Sequence, residues 1–93
     1  MHVHSARIVF RIGHASSLKD KRQVARSVMD KAKNKFNASI AEVDDHDAHQ
    51  RLVIGIALVA AEHGHGQKCL DEILRYMEEN ANAELLEVEI WQD

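Results

Sequence analysis

The hydrophobic period of this chain switches in an order that few folds accommodate. From Val3 to Ile12 the residues alternate, with Ala6, Ile8, Phe10 and Ile12 on one side and Ser5, Arg7, Val9 and Arg11 on the other. Period two with one apolar face is the pattern of a half-buried strand. Gly13-His14-Ala15-Ser16 ends it, and Leu18, Ala25, Val28, Met29, Ala32 and Phe36 then recur at helical spacing. Ser17 stands at the N-cap of that helix, with Asp20 three residues on as a shortened capping box, and Asn37 is its predicted stop. Ala38 to Asp44 reads as a short strand and Asp45-His46-Asp47-Ala48 as a hairpin turn. Arg51 to Ala61 is the next strand, with Leu52, Ile54, Ile56, Leu58 and Ala60 on one face. His63-Gly64-His65-Gly66 is predicted as a loop. Gln67 to Asn80 is predicted as a second helix with Leu70, Ile73, Leu74 and Met77 inward. Glu84 to Trp91 closes the chain as a strand, with Leu86, Val88 and Ile90 opposite Leu85, Glu87, Glu89 and Trp91.

The order β-α-β-β-α-β has a standard packed solution, an α+β ferredoxin-like sandwich in which two helices cover one face of a four-stranded antiparallel sheet. Right-handed crossovers set the predicted strand order as 4-1-3-2. A chain of 93 residues has room for one core, so residues 1–93 are read as a single domain. In this topology the end of the first strand, the start of the first helix and the hairpin turn share one pole. His14, Ser16, Ser17, Lys19, Asp45, His46, Asp47, His49, Gln50 and Arg51 are expected there, and His2, His4, Glu62, His63, His65 and Asp93 at the other.

Charge is distributed unevenly about a net of −3. Residues 1–41 hold nine Lys/Arg against two Asp, whereas residues 62–93 hold two against nine acids. Much of the positive charge sits on the first helix, where Lys19, Lys21, Arg22, Arg26, Lys31, Lys33 and Lys35 face only Asp20 and Asp30. Such a face attracts phosphate backbones through counterion release, without sequence specificity. The plainer reading is a solvated helix surface, since Lys and Arg are good helix formers. Lys19, Lys21, Arg22, Arg26 and Lys33 are the predicted phosphate contacts, with Arg51 joining Lys19 and Lys21 at the shared pole. RNA readers of this architecture stack bases on sheet aromatics. The predicted solvent face carries Arg7, Val9, Arg11, Val53, Ala57 and Val59, with Trp91 near an edge as its one aromatic. Backbone recognition is therefore expected over base reading. A homodimer formed through the apolar part of that open face (Val9, Val53, Ala57, Val59 and Leu85) or through an edge strand is the alternative.

Ser17-Leu18-Lys19-Asp20-Lys21-Arg22, then Phe36-Asn37-Ala38-Ser39-Ile40-Ala41-Glu42-Val43-Asp44, then Gln50-Arg51 together resemble domain-of-unknown-function family 503, the YlxP-like bacterial proteins. The resemblance spans nearly the whole chain and implies a ferredoxin-like fold. It implies no settled activity. The family's genes often lie beside those of transcription and ribosome-maturation factors, which implies an RNA or ribosome setting by association. Family members often carry an aromatic residue, typically Trp, before the Gln-Arg pair. His49 stands there in this chain, so a role resting on that aromatic does not carry over.

Seven histidines raise the question of a metal, and His2, His4, His63 and His65 are the candidates at the far pole. The compact Cys/His spacings of closed zinc sites are absent, and exposed terminal and loop histidines are the simpler reading, so no metal is assigned. The Asp44 to Asp47 turn lacks the spacing of an EF-hand loop. No nucleophile elbow surrounds Ser16 or Ser17, and no glycine-rich phosphate loop or dinucleotide fingerprint occurs, so no cofactor and no catalytic set are assigned. A small metal-dependent enzyme is the third class considered. The single Cys69 leaves no intrachain disulfide and points to a reducing cytoplasm. The ten-residue apolar run Leu52 to Ala61 is far short of the ~20 residues of a membrane span, and the N-terminus has no export pattern.

Overall fold

A computed structural model describes residues 1–92, and Asp93, expected at the far pole, lies outside them. The elements are β1 (His2–Arg11), α1 (Leu18–Lys35), β2 (Ser39–Asp44), β3 (Arg51–Ala60), α2 (His63–Asn80) and β4 (Glu84–Gln92). The sheet order is β2-β3-β1-β4 with every pair antiparallel. This is the expected order read from the opposite edge. β1 and β3 form the centre, with Ile8 opposite Ile54 and Phe10 opposite Leu52. Their inward side chains pack against Ala25, Val28 and Ala32 of α1 and Leu70, Ile73 and Met77 of α2. Each large aliphatic buried there contributes about 1.5–3 kcal/mol.

α2 begins at His63, so the segment predicted as a loop is its first turn. Glycine is a poor helix former, at about 1 kcal/mol relative to alanine, and two glycines misdirected the sequence reading. Gly66 is there for proximity. A Cβ at this position would lie 2.3 Å from His4 Nε2 and 3.1 Å from Ala60 Cβ. Its absence lets α2 settle onto β1 and β3.

Two bulges alter which residues share a face. On β4 the register shifts so that Phe10 faces Leu85 and Val9 faces Glu87. Leu85 therefore joins the helix-covered face, correcting its predicted place on the open one. On β2, Glu42 keeps the parity of Ile40 and faces Ile54 on the helix side, and the shift after it puts Asp44 opposite Val53 on the open side. The intervening Val43 covers Gly55, where a Cβ would lie 2.8 Å from Val43 Cγ1.

The open face is consequently less apolar than expected. Val9 and Val53, predicted as an exposed patch, are both 0% exposed. Arg7 spans the sheet between Asp44 (3.7 Å) and Glu89 (3.8 Å), and Arg11 lies 3.4 Å from Glu84. Of the five residues proposed for a face-to-face dimer, only Ala57 and Val59 remain exposed. Among the described residues no helix is long and apolar enough to cross a membrane.

Candidate functional site

The pole that carries the family motifs is tied together by side chains from four segments. Ser17 caps α1, its Oγ accepting from the Asp20 N–H at 3.1 Å. The Asp20 carboxylate reaches back to Ser16, accepting from its N–H and its Oγ at 3.0 Å each. This is a capping box displaced by one residue. The backbone N–H of Ser16, then its hydroxyl, hold the Asp20 carboxyl below its ordinary value. Gln50, ending the β2–β3 turn, donates through Nε2 to the carbonyls of Gly13 and Ala15 at 3.2 Å each. The Gln50 carbonyl accepts from the Ile12 N–H at 2.9 Å. The hairpin turn is thereby fastened to the loop entering α1.

Lys21 is the centre of this arrangement and the main correction to the sequence reading. It is 1% exposed, so it is not among the outward cations. Its Nζ lies 2.8 Å from Glu42 Oε2 and donates to the Asp45 carbonyl at 2.5 Å. The Glu42 contact is an ion pair by distance, while Oε2 has no well-aligned hydrogen bond. Asp45 adopts φ of 51°, a left-handed conformation that aspartate tolerates in turns. Its carboxylate accepts from Arg51 Nε at 2.7 Å. Arg51 does reach the shared pole, but its charge is matched there. The signal for Lys21 was present in the sequence. Positions 18, 21, 25, 28 and 32 follow one helical stripe, and charge alone had moved residue 21 off it. Glu42 shares strand parity with Ile40, which is buried.

Subtracting these ties isolates what the motif leaves over. Ser17, Asp20, Lys21, Glu42, Asp44, Asp45, Gln50 and Arg51 all bond within the pole or to Arg7. Lys19 and Arg22 do not. Both are exposed and have no ion pair among the described residues. With Arg26 and Lys33 they lie at spacings of three, four and seven, which align on one helix face. At 1.5 Å per residue the stripe is about 21 Å long. Lys19, Arg22 and Arg26 also line an open surface groove with Gln23, Ser27 and Asp30. Lys31 is exposed on another flank, and Lys35 lies 4.5 Å from the centre of the Tyr76 ring, a cation–π contact.

The far pole brings three of its four candidate histidines together. His4 is fully buried under α2. His63 packs against it at 5.1 Å between ring centres and against His2 at 5.7 Å. His65 turns instead to Cys69, with Nε2 3.5 Å from Sγ. Among the described residues no three His, Cys, Asp or Glu side chains are grouped as a metal would require. His14 and His49 are both exposed at the first pole, and among the described residues the Ser16 and Ser17 hydroxyls bond to Asp20 and not to either histidine.

Fold and pole together first define a class, a ferredoxin-fold α+β domain. Among solved structures it is similar to a de novo designed protein with ferredoxin fold, determined by solution NMR. The TM-score is 0.53, covering 100% of this chain and 83% of that one at 15% identity. At that identity the likeness concerns the fold alone. The chain belongs to the family described as Protein of unknown function (DUF503), whose profile matches residues 3–90. It is 38% identical over 64 residues to the uncharacterized protein YlxP of Bacillus subtilis (strain 168), spanning 69% of this chain and 70% of that protein.

Proposed function

We infer that the domain is a non-enzymatic adaptor that contacts the phosphate backbone of structured RNA, in a ribosomal setting, through Lys19, Arg22, Arg26 and Lys33. One observation carries this reading: α1 presents these cations on a single face, shared with Asp30 but with no ion pair among the described residues, while Lys21 and Arg51 are occupied by Glu42 and Asp45. Unpaired cations in a row can neutralise successive phosphates and release the counterions condensed on the nucleic acid, which is the source of salt-dependent affinity. The sheet favours backbone contact over base reading. Its open face is crossed by ion pairs, and Trp91, its one aromatic, sits on an edge strand. The choice of RNA over DNA rests on the gene neighbourhood implied by the family resemblance.

The test is titration of the protein against a structured RNA hairpin over a range of salt concentrations, beside a Lys19→Ala/Arg22→Ala/Arg26→Ala variant. Each lost phosphate contact lowers the log–log salt slope by about 0.9 on a duplex, so the triple variant should lose roughly 2–3 units of slope. Equal slopes, or no binding at low salt, refute the reading. The homodimeric alternative loses the exposed Val9–Val53 patch that motivated it, and sedimentation of the same samples tests it directly.

A further inference from the structure

The two edges of the sheet are not equally protected. β2 is six residues long, bulged at Val43, and turns the charged Glu42 toward the helix side. Short, bulged edges with inward charges are poor templates for a further strand. β4 is nine residues long and forms the other edge. Beyond its bulge it pairs with β1 in regular register from Glu87 to Gln92. On its helix side Val88 and Ile90 are 37% and 43% exposed, and on its open side Trp91 is 52% exposed. These side chains are too large and too close together to be scattered surface residues, and they border a row of backbone groups that no described strand pairs.

Charge decides what fits this edge. β4 alternates Val88 and Ile90 on one side with Glu87 and Glu89 on the other. β1 supplies the complement on the inner edge, setting Ile8 opposite Val88, Ala6 opposite Ile90 and Arg7 opposite Glu89. Glu87 faces Val9 there and has no ion pair among the described residues. A second copy is a poor match for the outer edge. Antiparallel pairing of two β4 strands about Val88 sets Glu87 opposite Glu89, and pairing about Glu89 sets that residue opposite its own copy. Like charges directly opposite destabilise a sheet. Pairing about Ile90 avoids the clash but sets Glu89 opposite Trp91, so it brings no cation to either carboxylate. β2 offers Glu42 and Asp44, which are no better. We propose that the outer edge of β4, from Glu87 to Gln92, is a docking site for an extended segment of another protein in which apolar residues alternate with Lys or Arg. The added strand would satisfy the free backbone groups, cover Val88 and Ile90, and bring cations to Glu87 and Glu89.

The experiment uses the full chain, isotopically labelled, and two synthetic peptides of equal length, one alternating Val with Arg and one alternating Val with Glu. Amide shifts are followed by NMR in the wild type, in Glu87→Lys and in Ile90→Lys, each first shown to be folded by circular dichroism. The Val/Arg peptide should perturb β4 amides and slow their hydrogen exchange, and the Val/Glu peptide should not. Glu87→Lys should weaken binding roughly two- to fivefold, the range of a single partly exposed ion pair, and Ile90→Lys should abolish it. Perturbation centred outside β4, equal binding of both peptides, or no perturbation by either would overturn the proposal. So would self-association of the free protein that Ile90→Lys abolishes, because the edge would then belong to a second copy. The outcome is independent of the RNA titration, which reads α1.

Discussion

Replacing Lys21 with methionine separates an internal tie from a phosphate contact. Methionine retains most of the aliphatic stem and deletes the ammonium. The Asp45 carbonyl keeps a partner, since the Ala48 N–H also donates to it at 3.0 Å. Glu42 does not. Its side chain is only 18% exposed and loses its one ion-pair partner among the described residues. Breaking one side of a buried pair costs about 3–5 kcal/mol, and the residual exposure of Glu42 argues for the lower end, about 3 kcal/mol. A small domain has only ~5–15 kcal/mol in total, and at ~4–8 °C per kcal/mol the melting temperature should fall by about 12–24 °C. Removing both charges, in Lys21→Met/Glu42→Leu, should restore most of this, because well-packed apolar substitutes for buried pairs are often neutral. Urea unfolding of the wild type, both single variants and the double variant measures the coupling in one cycle, with unchanged m-values required for comparison. Strict additivity, or a loss under about 1 kcal/mol for Lys21→Met, would show that no buried pair exists. Under conditions where Lys21→Met is folded, its salt slope against RNA should equal that of the wild type. A flattened slope would return Lys21 to the phosphate-contacting set.

Two further outcomes follow from the poles. Gly66→Ala places a methyl group against His4, and overpacking of this kind costs about 1–3 kcal/mol. Adding His4→Ala opens space for that methyl, so Gly66→Ala should be markedly less destabilising in the His4→Ala background, as read by thermal unfolding; an equal loss in both would refute the contact. Acid unfolding probes the displaced cap. Because folding lowers the pKa of Asp20, its contribution is complete above the ordinary value of 3.8 and disappears as pH falls through the lower folded value. Asp20→Asn should therefore reduce the loss of stability below that pH, measured as the urea midpoint, and an unchanged acid limb would contradict the assigned hydrogen bonds.

Much of the architecture was legible because it rests on local periodicity. The alternation in β1 and β3 and the 3.6-residue spacing in α1 identify which side of each element is apolar, and short connections with right-handed crossovers leave little choice of strand order. Ser17 was readable as a cap for the same reason, since capping is a contact between residues three apart. The exposed stripe of Lys19, Arg22, Arg26 and Lys33 was likewise implied by spacing alone.

What the sequence by itself determined is the order of the elements, the inner faces of β1 and β3 and the surplus of cations on α1. The tertiary structure decided which of those charges remain available. Whether Lys21 points outward depends on Glu42, twenty-one positions away, standing opposite Ile54 on the helix side of β2, and on the Asp45 carbonyl being presented by the turn. Neither fact resides in the helix. The start of α2 at His63 was hidden for a related reason: propensity penalises Gly64 and Gly66, whereas the contact of Gly66 with His4 joins segments far apart in the chain. The bulge at Leu86 moved Leu85 inward, and the one at Val43 moved Asp44 to the open side, because one extra residue reverses the parity of a strand. Long-range packing thus turned a helix that looks uniformly basic into one buried tie and one open stripe.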